Sequence, residues 1–76
     1  MRIGEPARNH GISDADMRHA VRGAMRRVVL EEGLTMLIGP AVDGAMLEVG
    51  ILGIEGDDPV IIHAMQLRQK FYRFLG

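Results

Sequence analysis

Residues 46–65 read MLEVGILGIEGDDPVIIHAM. Two apolar runs, Met46 to Ile54 and Val60 to Met65, flank the polar loop Glu55-Gly56-Asp57-Asp58-Pro59. Short runs of this kind, bounded by Gly, Asp and Pro, predict two strands joined by a hairpin connection. Successive side chains of a strand point to opposite faces. With a simple connection, Val49 and Ile51 share one face with Ile62 and Ala64. That face is purely apolar and calls for a cover. The opposite face holds Glu48, Gly50, His63 and Met65. A carboxylate and an imidazole therefore project on the same side from neighbouring strands.

The rest of the fold follows outward from this pair. Upstream, Leu34 to Gly39 reads as a strand stopped by Pro40, and Asp43-Gly44 is a two-residue hairpin signal. Val28 to Leu30 reads as a short strand before the turn Glu31-Glu32-Gly33. The cover is a helix over residues 13–27. Ser13 is a good N-cap, and Asp14 and Asp16 suit the positive end of the helix dipole. Met17, Ala20, Val21, Ala24, Met25 and Val28 recur with helical period, and Arg18, Arg22 and Arg26 form a basic ridge beside them. Residues 1–11, with Gly4, Pro6 and Gly11, read as an extended lead-in. Residues 66–75 read as a basic, aromatic tail, helical or extended, in which Phe71 and Phe74 are expected to be core and the charges to face outward. The expected architecture is one α+β domain over residues 1–76. One amphipathic helix packs on a three- to four-stranded antiparallel sheet (residues 28–65) whose second face is open.

Composition narrows the function classes. With 76 residues and no cysteine, the chain has no disulfide or thiolate metal site to supplement a small core. Association with a partner or with itself is the other usual aid for so small a chain. No apolar run approaches the ~20 residues of a membrane helix. Met1 to Asn9 carries charges and lacks an apolar signal core, so a cytoplasmic location is expected. The net charge of −1 hides an uneven distribution, with arginines and lysine clustered at residues 18–27 and 68–73 and acids at 31–32 and 55–58. His10, His19 and His63 have no metal-ligand spacing, and neither a phosphate-binding glycine loop nor a nucleophile set is present. No cofactor is expected.

The Asn9-His10-Gly11-Ile12-Ser13 opening of the helix resembles the start of the BrnT family of bacterial toxins. Val60-Ile61-Ile62-His63-Ala64-Met65, followed by Arg68 and Tyr72, resembles that family's last strand and basic tail. The resemblance spans roughly residues 8–75. It implies a RelE-like fold, metal-independent endoribonuclease activity and neutralisation by a cognate antitoxin. By position, His10 matches the family's N-terminal histidine, and Arg68 and Tyr72 match its C-terminal arginine and tyrosine. His63 owes its candidacy to its residue type, because imidazole suits proton transfer near neutral pH.

Together these readings nominate His63 as base or acid and Glu48 as its counterpart or orienter. Arg68 would stabilise the phosphate, and Tyr72 would stack or position a base. His10, Arg18, Arg22, Lys70 and Arg73 are the expected RNA-binding residues. A different class also fits: a non-catalytic interaction or oligomerisation module, or an inactive relative of the toxins.

Overall fold

The computed structural model describes residues 1–76. Its elements are β1 (Arg2–Ile3), a 3-10 segment (Glu5–His10), α1 (Asp14–Arg22), β2 (Arg26–Glu31), β3 (Leu34–Pro40), β4 (Met46–Leu52), β5 (Val60–Gln66) and a second 3-10 segment (Gln69–Phe74). The α+β class stands, but the sheet has five strands rather than three or four, in the order β1-β5-β4-β3-β2. β2 to β5 form an antiparallel meander, and β1 pairs with β5 in parallel. No helix is long and apolar enough to cross a membrane.

The fifth strand comes from the segment expected to be a lead-in. Arg2 sits opposite Val60, and the Gly4 amide donates to the Ile61 carbonyl at 2.8 Å. The chain then turns into the first 3-10 segment, whose Ala7 is buried. Arg8 ties this segment to the start of α1, donating from Nε and Nη2 to the two oxygens of Asp14 at 3.2 and 2.9 Å. The lead-in is thus extended only at β1, where it docks on the sheet edge, and is helical over Glu5–His10. Its short-range pattern gave no sign of partners some sixty residues away.

The helix begins as expected, with the Ser13 hydroxyl accepting from the Asp16 amide at 3.1 Å. It ends at Arg22, five residues before the expected boundary of Arg27. The competing interaction is the sheet. The Met25 amide donates to the Ile38 carbonyl at 2.7 Å, and Arg26 to Val29 pair with Ile38 to Thr35. Gly39 makes this crossing feasible. A Cβ there would lie 2.1 Å from the Ala20 carbonyl oxygen and 3.0 Å from the Ala24 Cα, so the chain leaving α1 lies directly against β3. Ala24, Met25 and Val28 are in phase with the helix but belong to the crossing and to β2. The ridge of Arg18, Arg22 and Arg26 is broken for the same reason.

The β3–β4 connection spans Ala41 to Ala45, not the two residues Asp43-Gly44. Pro40 opposite Met46 is the last pair of the ladder, and Asp43 caps the Ala45 amide at 2.9 Å within the loop.

Both faces of the sheet are covered, unequally. On one, α1 and the first 3-10 segment bury Met17, Ala20 and Ala7 against Leu47, Val49, Ile51, Ile61 and Ala64. On the other, Met36, Ile38 and Leu67 are covered by Phe71, Phe74 and Leu75 from the C-terminal tail. The face expected to be open is therefore partly closed by the tail. One apolar partner also changes. A bulge shifts the β4–β5 register, so that Gly50 faces His63 but Ile51 faces Ile61. Ile61, not Ile62, joins Val49, Ile51 and Ala64 under the helix, and Ile62 lines the tail side.

Candidate functional site

Glu48 lies at the middle of β4 on the tail side of the sheet, in a stretch otherwise apolar or glycine. Its side chain is fully buried (0% exposed). Such a carboxylate is tolerated only when its oxygens are matched by donors. Four donors meet it. His63 Nε2 lies 2.8 Å from Oε1. Arg68 donates to the same oxygen from Nε at 3.0 Å and Nη2 at 2.6 Å. The Arg68 backbone amide donates to Oε2 at 3.0 Å. Burial pushes the Glu48 carboxyl up. The Arg68 side chain, His63 and the Arg68 amide outweigh it and hold the carboxyl below its ordinary range. The same contact raises Arg68.

An ionised Glu48 fixes the imidazole. Since the carboxylate only accepts, Nε2 of His63 carries hydrogen and donates. In the neutral ring the lone pair is then on Nδ1. Gly50, directly opposite on β4, provides the room; a Cβ there would stand 3.1 Å from the His63 Cβ. The His10 ring lies edge-on to His63, with centroids 5.6 Å apart at 79°. His10 is exposed, at the end of the first 3-10 segment, so two histidines 53 positions apart in sequence meet at the border of the sheet face.

Glu48, His63 and Arg68 line one depression of about 200 Å³, whose apolar walls include Leu34, Met36 and Phe71. Arg68 and Lys70 both lie over the Phe71 ring, 5.3 and 5.0 Å from its centroid. Arg68 lines the depression, whereas Lys70 reaches only the Phe71 ring at its wall. No group of three His, Cys, Asp or Glu side chains is arranged to hold a metal ion.

Other nominated residues lie elsewhere. Tyr72 is exposed and lines a separate depression with Met46, Leu67 and Leu75. The 3-10 geometry of residues 69–74 is responsible, turning Phe71 and Phe74 to the sheet and leaving Tyr72 outside. Arg73 lies over Phe74, 4.7 Å from its centroid, and donates to the Lys70 carbonyl at 3.1 Å. Arg18 donates to the Met1 carbonyl at 2.8 Å, and it lines with Arg22 a depression against α1 that Glu48 and His63 do not reach.

Sequence reading missed two residues that support the site. Arg26 leaves the expected helix and donates from Nε to the Phe74 carbonyl (2.7 Å) and from Nη2 to the Leu75 carbonyl (3.0 Å), fastening the tail. Leu67, buried beside Arg68, anchors the same turn. No local pattern announces either. Phe71 and Phe74 are core as expected, and Leu67 completes the same apolar side of the tail.

Neither a family model, nor a curated protein, nor a solved structure matches this chain.

Proposed function

We propose that this chain is an endoribonuclease of the toxin kind to which its sequence bears resemblance, acting on single-stranded RNA and restrained by a cognate antitoxin. The observation that carries the reading is the imidazole of His63, oriented through Nε2 by a buried ionised carboxylate, with a second imidazole, His10, beside it. Cleavage of RNA without a metal needs a proton acceptor at the ribose 2′-hydroxyl and a proton donor at the leaving 5′-oxygen. Nδ1 of His63 takes the 2′-hydroxyl proton. The 2′-oxygen bonds to phosphorus, the bond to the 5′-oxygen breaks, and protonated His10 supplies that oxygen with its proton. The products are a 2′,3′-cyclic phosphate and a 5′-hydroxyl. Arg68 and Lys70 balance charge on the phosphate. Glu48, held ionised, serves as orienter and not as acid.

The test uses purified protein with a short RNA and the same RNA carrying 2′-deoxyribose at the scissile position. Cleavage of the first alone, lost in His63→Ala and in Arg68→Ala, supports the reading. Full activity in both variants, or none in the parent, sinks it. The competing reading, a non-catalytic interaction module, draws on the same cluster. Glu48 already has a full set of donors, so the ion triad also serves to bind the tail to the sheet.

A further inference from the structure

Strand β2 is the outermost strand of the sheet, with no neighbour beyond it. The opposite edge is blunted, since β1 has only two residues and the first 3-10 segment packs against β5. β2 is different. It runs six residues, Arg26–Glu31, and all but Val28 are exposed. Val29 is 70% exposed and Leu30 46%, with Met25 just before them at 53%. A long edge of this kind offers unpaired backbone N–H and C=O groups to another strand.

Charge commonly protects such an edge, because like charges repel a second copy. Here the two ends differ in sign. Arg26 and Arg27 stand at the start, Glu31 and Glu32 at the end, and Val28, Val29 and Leu30 lie between them. The glutamates take part in no ion pair within the chain, whereas Arg27 pairs with Glu55 at the exposed surface.

We propose that β2 is a self-association edge, pairing antiparallel with β2 of a second copy of this chain about a two-fold axis at Val29. An antiparallel copy brings the Arg26–Arg27 end of each chain to the Glu31–Glu32 end of the other. A parallel copy sets like charge against like. Centring on Val29 also sets Val28 opposite Leu30 and Val29 opposite itself, so the apolar residues meet in the middle. The bulge between Val29 and Glu31 keeps the new ladder short and turns Glu31 to the face of Leu34, which Arg26 shares through Ile38, so the charged ends meet as clusters rather than in single pairs. The ionic ends therefore set the antiparallel direction. The interface is isologous, as a closed dimer requires, and it joins two sheets into one without using Glu48, His63 or Arg68.

The absence of cysteine gives a direct test. Residues facing each other across antiparallel strands have Cα atoms about 4.5–5.5 Å apart, within disulfide range. A Val29→Cys chain therefore links to itself under mild oxidation. Val42→Cys, equally exposed in the β3–β4 loop (66%), is the control and links at least ~tenfold more slowly. In sedimentation equilibrium the parent reaches twice the 8.4 kDa chain mass at high concentration. Glu31→Lys/Glu32→Lys, which alters only exposed side chains, weakens the dimer by about tenfold or more. A parent that stays at the chain mass throughout overturns the proposal. So does a Val29→Cys chain that links no faster than Val42→Cys, or a charge reversal that leaves dimerisation unchanged.

Discussion

The Nε2 atom of His63 lies 2.8 Å from Oε1 of Glu48, and that oxygen also receives two bonds from the Arg68 guanidinium. One buried carboxylate thus joins β4, β5 and the C-terminal tail. Removing it strands its donors, and charge-assisted hydrogen bonds contribute about 1.5–3 kcal/mol each to stability. Arg68 and His63 retain some access to water, which softens the loss. Glu48→Ala is expected to cost about 2–3 kcal/mol, a large part of the ~3–5 kcal/mol available to so small a domain. Glu48→Gln keeps the shape and one acceptor and costs less. Urea unfolding of the three proteins measures the order; equal midpoints for parent and Glu48→Ala contradict it.

Acid should loosen the same junction. The folded Glu48 carboxyl is held below its ordinary range, so the unfolded chain binds more protons between the two values. Its stabilisation is present above the ordinary carboxylate range and is lost as pH falls through the folded value. Asp14 and Asp58, lowered by their bonds to Arg8 and Arg2, act in the same direction but are exposed. The comparison with Glu48→Gln isolates the buried group. The parent loses stability on acidification more steeply than the variant, as read by thermal melts at stepped pH. Parallel curves would exclude Glu48 as the source.

At Gly39 the constraint is backbone against backbone. A Cβ would stand 2.1 Å from the Ala20 carbonyl oxygen, and neither chain can yield as a flexible side chain can. Gly39→Ala is expected to destabilise by about 3 kcal/mol, the upper end for overpacking. The loss should appear together in far-ultraviolet dichroism and in the urea midpoint, because α1 must lift from β3. A variant with the parental midpoint would show that the helix does not rest there.

Sequence alternation placed Glu48 and His63 on one sheet face because the period of a strand is fixed over a few residues. The β4–β5 bulge left that pairing intact and displaced only Ile62. The same local reasoning failed where distant partners decide. Arg2 and Ile3 become strand only by meeting Val60 and Ile61, and Arg26 leaves the helical phase to pair with Ile38 and cap the tail. The approach of His10 to His63 depends on that N-terminal docking, so no spacing in the chain encodes it. In the tail, residue type placed Phe71 and Phe74 in the core, whereas the turn that carries Tyr72 away from His63 and Arg68 is set by packing on the sheet and has no local signal.

If His63 and His10 exchange protons with RNA, their losses should not add. Each alanine variant is expected to lower cleavage by ~10²–10⁴-fold, and the double variant by little more than the worse single. The measurement is single-turnover cleavage with protein in excess. A double variant showing the full product of the two losses would indicate that the residues act independently.

Gly50 separates the placement of His63 from its chemistry. A Cβ at this position meets the His63 Cβ at 3.1 Å, so the imidazole must shift by a few tenths of an ångström while the strands can stay paired. Alanine also loses less conformational freedom on folding than glycine, by about 0.5–1 kcal/mol, which offsets the crowding. Gly50→Ala should therefore keep nearly the parental urea midpoint. Its His63 ring resonances should move, because the 2.8 Å bond to Glu48 is lengthened or bent. Small displacements of a proton-transfer group are costly, since an error of about 1 Å can reduce a rate by 10². Cleavage is expected to fall about tenfold. Unchanged cleavage with displaced ring resonances would separate the Glu48–His63 geometry from the reaction and leave the cluster only the role of binding the tail to the sheet.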